Sequence, residues 1–339
     1  MPHSFNVPQD VAAAPRLAAV VVTHNGGRLL AESLRSLVAS EACPDILVVD
    51  NASGDGSVAA LEHEFPDIAL LRNRRNRLFA PATNQGLAWA LGRGATHVLV
   101  QNADVFWEPG ALCALLGFAR ARPRVAACQP LLVRADRPGI IQSAGCRVAL
   151  TGRACDALAG RPVSAAGASP LSVPGASGAA LLLSAAALRQ AGGFCDDFGM
   201  YFEDVELSLR LRALGFDICC LPGARARHVG GASSAAYPAG RKAAFCEKNA
   251  LLLATRLYPP LGLAAALTLG PAAAVLAACR HLLAGRPGPA AGLLSGVAKG
   301  LCAVPRHLVA RFALARAGAR PQRFWPLVET TTLFPGPKA

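Results

Sequence analysis

LAAVVVTHNGG at residues 17–27 and ILVVDNASGDGS at residues 46–57 decide the fold. Each is a short apolar run that stops abruptly at small polar residues and glycine, the pattern of a buried strand ending in a turn. Between them Leu30, Leu34 and Leu37 recur at i, i+4 and i+7, on one face of a helix. The apolar runs at 68–71 and 98–100 repeat the form. Strand and helix in alternation predict an α/β fold with a mostly parallel central sheet and helices packed on its faces. Farther along, 154–174 is rich in Ala, Gly, Ser and Pro without a period and reads as a loop, and 178–184 reads as a strand. A helix is expected from Glu203, with Leu207, Leu211 and Leu214 on one face and Gly215 as its stop.

Composition separates the two ends of the chain. Of 339 residues, 53% are hydrophobic but only 6% aromatic and 16% charged, which excludes disordered and collagen-like classes. The net charge is +13, and +9 of it lies at 256–339, where ten Lys or Arg face one acidic residue, Glu329. Residues 261–279 carry no charge; these 19 residues approach the length that crosses a bilayer, although Gly270-Pro271 interrupts them. A buried or interfacial helical hairpin fits the same pattern. A basic, apolar tail suits an anionic membrane surface. Nucleic acid is disfavoured as a partner, because the tail lacks interleaved aromatics and no nucleic-acid module is readable. Eleven scattered cysteines without a C-x-x-C pattern point to reduced thiols in the cytosol. Residues 1–16 read as a flexible leader, lacking the basic stretch and apolar run of a secretory signal.

Ligands of open α/β sheets bind beyond the carboxyl ends of the strands. Thr23, His24 and Asn25 end the first strand, and Asp50, Asn51, Ser53 and Asp55 end the second; together they suit a base and a ribose. Asn102 and Asp104 stand at i and i+2, on one face of an extended segment, and suit a hard cation such as Mg²⁺ or Mn²⁺. Such a cation neutralises charge on a leaving diphosphate, whereas the competing reading is an ordinary Asx turn before Pro109. Glu203, Asp204 and Glu206 cluster at a helix start, where the macrodipole favours negative charge. They act either as caps or as a base that takes a proton from an acceptor hydroxyl. His228, ahead of Gly230-Gly231, is by itself more often structural than a ligand.

In order, VVVTHN (20–25), VVDNASGDGS (48–57), NRLFAPATNQG (76–86), QNADV (101–105), GGFCDDFGMYFEDVELSLRLRALGF (192–216) and HVGGASS (228–234) resemble family 2 glycosyltransferases, particularly their bacterial rhamnosyltransferase-like branch. The resemblance runs from about Val20 to Tyr258. It implies a Rossmann-like transferase domain of the GT-A type over 17–255; the composition beyond it makes 256–339 a basic, Ala/Leu-rich helical tail expected to associate with a membrane. By the matched positions Thr23, Asn25, Asp50 and Asn51 contact the nucleotide, Asp50 reading a pyrimidine, and Asn84 approaches the donor. Asp104 with Asn102 stands in the family's D-x-D metal position, His228 is a further metal ligand, and Asp204 is the base with Glu203 beside it. The departures are His24 for a usual Tyr, Leu78 and Pro81 in a usually Gly-rich loop, Asn102 for the first Asp, and Glu206 for a common Asp.

The implied reaction is inverting transfer of a sugar from a nucleoside diphosphate, with deoxythymidine-diphospho-rhamnose as first candidate donor. The implied acceptor is a lipid-linked or surface-polysaccharide glycan at the cytoplasmic face of the inner membrane. Two rivals are weighed. A sugar-phosphate nucleotidyltransferase cradles triphosphate in a Gly-rich loop with a following Arg and Lys, which residues 23–28 do not supply. A catalytically degenerate membrane scaffold of the same fold is permitted by Asn102, but Asp50, Asp104, Asp204 and His228 argue against it.

Overall fold

The computed structural model describes residues 16–231 and 237–330. All but the last residue of the leader expected over 1–16, and the last three residues of the HVGGASS block, lie outside the described residues. The chain first alternates through β1 (Leu17–Thr23), α1 (Gly27–Val38), β2 (Asp45–Asp50), α2 (Ser57–Glu64), β3 (Ala69–Arg72), α3 (Phe79–Gly92) and β4 (His97–Asn102). It continues through β5 (Val105–Trp107), α4 (Ala111–Arg120), β6 (Val125–Arg134), β7 (Ile141–Ser143), β8 (Cys146–Ala149), β9 (Ala154–Asp156), β10 (Leu171–Ser172), β11 (Ala180–Ser184) and α5 (Ala185–Ala191). After α6 (Glu203–Ala213) and β12 (Asp217–His228) come three long helices, α7 (Ala239–Leu257), α8 (Pro260–Leu283) and α9 (Pro287–Arg316), and a short β13 (Val328–Glu329).

The central sheet has the order β10-β12-β6-β11-β4-β1-β2-β3. The four strands β3, β2, β1 and β4 are parallel, β11 runs antiparallel between β4 and β6, and β6 and β12 are parallel again. Both faces are covered, as the uninterrupted apolar runs require: Val20, Val22, Val98 and Val100 join one core, and Val21, Val48 and Leu99 join the other. Leu30, Leu34 and Leu37 of α1 are completely buried, as their spacing predicts. β1 lies between β2 and β4, so the chain winds one way to β3 and then the other way to β4. That reversal opens a crevice at the carboxyl ends of β1 and β4, where ligands bind in such sheets. α3 lies so close above β1 that a Cβ on Gly86 would land on the Val20 side chain.

Two stretches differ from the sequence reading. Residues 154–174 contain β9, which pairs with β8, and β10, which pairs with β12. Neither leaves a local period, since each is two or three residues long and its partner lies elsewhere in the chain. The break expected at Gly270-Pro271 does not occur: α8 continues through Pro271, which forfeits its own N–H bond but leaves those of the flanking turns. α8 is long and apolar enough to cross a membrane, and 33% of its most apolar window is buried in the protein.

α9 packs on α7 through small residues. Gly292, Gly296, Gly300, Ala303 and His307 are buried along one face of α9, at the i, i+4 and i+3 steps that share a helix face. A Cβ on Gly296 would lie 2.6 Å from the Ala244 carbonyl oxygen, so the two backbones touch without intervening side chains. Gly296→Leu is therefore expected to cost about 1–3 kcal/mol by overpacking, read as a lower midpoint in thermal unfolding.

Candidate active site

The carboxyl ends of three strands meet side by side: Thr23 is in register with Asp50, and Val22 with Asn102. The loops that follow are stitched together. The Asn25 N–H donates to Ser53 Oγ at 2.9 Å, the Gly54 N–H donates to Asn25 Oδ1 at 2.8 Å, and the Gly27 N–H donates to Asp55 Oδ2 at 2.9 Å. Asn25 sits at φ +55°, a left-handed conformation that Asn tolerates better than most residues. Asp50 Oδ1 accepts the Ser53 N–H at 2.8 Å. Asn51 reaches the next loop, its Oδ1 accepting the Arg77 N–H at 3.1 Å and its Nδ2 donating to the Leu78 carbonyl at 3.1 Å.

In front of these ends lies a cavity of about 420 Å³. Its wall includes Thr23, His24, Asn51, Asn102, Asp104, Glu203, Asp204 and His228. Asn25, Asp50 and Asn84 are not part of that wall. Asn84 is turned into the protein: its Nδ2 donates to the Phe194 carbonyl and to Asp196 Oδ1, both at 2.8 Å, and its Oδ1 accepts the Phe194 N–H at 2.9 Å. It ties α3 to the segment that leads into α6.

Asp104, Asn102 and His228 converge although His228 lies 126 positions after Asn102 in the chain. β5 pairs antiparallel with the end of β12, placing His228 in register with Val105. His228 Nε2 lies 3.2 Å from Asp104 Oδ1 and 3.5 Å from the Asn102 amide. The other Asp104 oxygen, Oδ2, accepts the Gly230 N–H at 3.1 Å. One carboxylate oxygen, one imidazole nitrogen and, with the amide turned, one amide oxygen are a donor set for a hard to borderline divalent cation.

The acidic cluster of α6 divides in two. Glu203 and Asp204 face the cavity. Asp204 accepts the Gly178 N–H at 2.7 Å and the Val205 N–H at 2.8 Å. Burial pushes the Asp204 carboxyl above its ordinary range, and those two N–H groups only partly oppose it. Burial, and next the charge of Asp204, push Glu203 well above the usual carboxylate range. Glu206 turns away from the cavity and is fully buried between Arg210 and Arg256. Burial alone would push its carboxyl up, but the two guanidiniums hold it down at about 2.

The approach to α6 is strained. Tyr201 and Phe202 occupy the left-handed region at φ +68° and +66°, at a cost of about 1–3 kcal/mol each that the surroundings must offset. Asn249 of α7 supplies part of that restraint: its Nδ2 lies 2.6–3.0 Å from the carbonyls of Phe198, Met200 and Tyr201. Nothing in the sequence reading singled out Asn249; its one signal is an amide directly after Glu247-Lys248 and ahead of the apolar run 250–254. Gly178, whose N–H orients Asp204, and Lys242 and Asp156, which also line the cavity, were missed as well.

The mostly parallel sheet, with a cavity at its polar strand ends, is the architecture of a glycosyltransferase of the GT-A type. The chain belongs to glycosyl transferase family 2: that family's model matches residues 18–149, and a curated relative is 32% identical over 262 residues, covering 71% of this chain and 84% of its own length. That relative is the N-acetylglucosaminyl-diphospho-decaprenol L-rhamnosyltransferase of Mycobacterium tuberculosis (strain CDC 1551 / Oshkosh). The O-antigen biosynthesis protein RfbC of Myxococcus xanthus is 28% identical over 243 residues, covering 68% of this chain but only 19% of its own. Among solved structures, the mannosyltransferase PcManGT from Pyrobaculum calidifontis, in complex with GDP-Man and Mn²⁺, superposes with a TM-score of 0.53 at 22% identity, over 95% of this chain and 90% of that one. GalNAc-T7 with UDP, GalNAc and Mn²⁺ gives 0.51 at 15% identity, over 63% and 43%.

Proposed function

We propose that the chain is an inverting, divalent-cation-dependent transferase that moves rhamnose from deoxythymidine-diphospho-rhamnose to a lipid-linked glycan. The observation that carries this reading is that the Asp104–His228 pair and Asp204 face one cavity. The 32% identity to a rhamnosyltransferase named for a diphospho-decaprenol acceptor supports the donor and the acceptor class.

In this reading Thr23 and Asn51, on the cavity wall beside the β1 and β2 ends, meet the nucleotide. Asn25 and Asp50 act from behind by fixing the two loops. Asp104, Asn102 and His228 would hold Mn²⁺ or Mg²⁺, which supplies charge neutralisation at the departing diphosphate. Asp204, its carboxylate oriented by the Gly178 N–H, takes the proton of the acceptor hydroxyl as that oxygen attacks the anomeric carbon. Attack opposite the leaving diphosphate forms the new C–O bond as the old one breaks and inverts the configuration. Burial, and the nearby charge of Asp156, keep Asp204 basic.

The tail completes the reading. Leu276 (62% exposed) and Leu283 (90%) of α8, with Val309 (69%) and Phe312 (66%) of α9, leave apolar surface in solvent. No acidic residue lies between Arg256 and Glu329, so this surface suits the anionic cytoplasmic face of the inner membrane.

A donor screen with added Mn²⁺ or Mg²⁺, reading released nucleoside diphosphate, tests class and donor together. Release only from donors other than deoxythymidine-diphospho-rhamnose would overturn the donor, and product with the donor's anomeric configuration would overturn inversion. Asp104→Ala is expected to lower turnover ~100-fold or more, since the lost charge stabilisation amounts to several kcal/mol. Chelation should reproduce that loss in the unaltered protein, and added Mn²⁺ should reverse it.

A further inference from the structure

A buried polar chain runs from the tail helix into the segment that carries Asp204. Glu206 of α6 accepts from Arg256 Nε of α7 at 2.8 Å. Arg256 Nη1 lies 3.3 Å from His307 Nδ1 of α9. On the far side of the ring, His307 Nε2 lies 3.2 Å from Asp197 Oδ2. Since a guanidinium only donates, Nδ1 is the acceptor and Nε2 carries the hydrogen, within ion-pair distance of Asp197 but not aligned as a hydrogen bond. That contact is the leading cause holding the Asp197 carboxyl below its usual range.

The chain therefore grips residues 197–206 at both ends. The middle of the same segment holds the two left-handed residues and Asp204, and hangs from Asn249. His307 is 2% exposed and reaches this place because the glycine face of α9 lets the helix lie directly on α7. A metal at Cys195, Asp197 and His307, whose ligand atoms lie within 4.8 Å of one another, is disfavoured. Arg306 already pairs with Asp197 at 3.3 Å, Arg256 abuts His307, and Lys248 Nζ donates to the Asp197 carbonyl.

Resting on the transfer reaction proposed above, we propose that His307 is a positioning residue: α9 uses it to hold Asp197, and so fixes the base-bearing segment from outside the catalytic sheet. The tail then has a part in turnover that is separate from any contact with a membrane.

His307→Ala is expected to lower kcat about ten-fold or more with donor KM within about two-fold, because a small displacement of a reacting group is costly while the nucleotide site is untouched. His307→Gln, whose amide can accept from Arg256 and donate to Asp197, should recover most of the loss. Asp197→Ala reaches the same link from an exposed side chain and should give a similar loss; the double variant should be no worse than either single one. Arg306→Ala, which removes only an exposed ion pair, should stay within about two-fold. Hydrogen exchange supplies a readout independent of chemistry: amides of residues 198–205 should exchange faster in His307→Ala while those of β1 and β4 do not. Unchanged kcat with unchanged exchange overturns the proposal, as does a loss in His307→Ala that His307→Gln fails to restore. If the unaltered protein releases no nucleoside diphosphate from any donor, the functional reading fails, and the exchange experiment still decides whether His307 holds the segment.

Discussion

Asp204→Asn is expected to lower kcat by ~10²–10⁴-fold, the usual worth of a positioned general base, while donor binding measured by calorimetry stays near that of the unaltered protein. Asn keeps the shape, but its single amide oxygen can accept only one of the Gly178 and Val205 N–H groups, which bond to different oxygens of the carboxylate, so it is unchanged donor binding that separates a lost base from a displaced helix. The pH profile supplies the second half of the test. The base works only when ionised, and burial raises the Asp204 carboxyl above its ordinary value. Activity should therefore fall, as pH is lowered, at a higher pH than a solvent-exposed aspartate would give. That acid limb should be missing from the residual activity of the variant. An active Asp204→Asn enzyme with an unchanged profile would remove Asp204 from the mechanism.

Glu206→Ala is expected to destabilise the fold by about 3–5 kcal/mol, because it leaves buried guanidinium groups without their carboxylate. Arg210 keeps carbonyl partners at Ala191, Gly192 and Gly193, so the larger burden falls on Arg256, whose remaining contact is His307. The urea midpoint measures the loss, and an unchanged midpoint would show that the pair contributes nothing net. In the unaltered protein the same carboxylate makes stability depend on acid. Its pKa is about 2 when folded against about 4.3 in an unfolded chain. Its contribution is complete above the unfolded value and is lost as pH falls toward about 2. Glu206→Ala should flatten that part of the pH–stability curve.

Much of the fold was legible because strands in a parallel sheet write themselves as continuous apolar runs, and residues at their ends are drawn from a short polar list. The apolar runs that end at Thr23, Asp50 and Asn102 mark the strand ends in front of which the cavity lies. The three acidic residues of α6 were legible as a cluster but not as two different devices. Glu206 differs from Asp204 through Arg210, an i,i+4 partner on the same helix, and through Arg256, 50 residues later in the chain; the second partner leaves no local spacing to read. Asn84 shows the same limit, since an amide in a motif signals a polar task but not whether it is turned toward a ligand or toward the Phe194 backbone. The glycine face of α9 was visible as composition and still went unread, because small residues mean close approach only once the neighbouring helix is known.

The close seam between α7 and α9 bears on how such enzymes can be recombined. Composition changes at residue 256, which invites exchange of one relative's tail for another's at that point. The cut would fall within the last turn of α7, hand Arg256 to one parent and Glu206 to the other, and bring bare helical backbones together whose fit depends on residues facing each other at 240 and 292. A hybrid that transplants α7, α8 and α9 as one block, joined before Ala239, would keep that seam intact and would still need the recipient's α6 to offer a carboxylate to Arg256. The unit of inheritance for this tail is the three-helix block rather than the basic, apolar stretch alone.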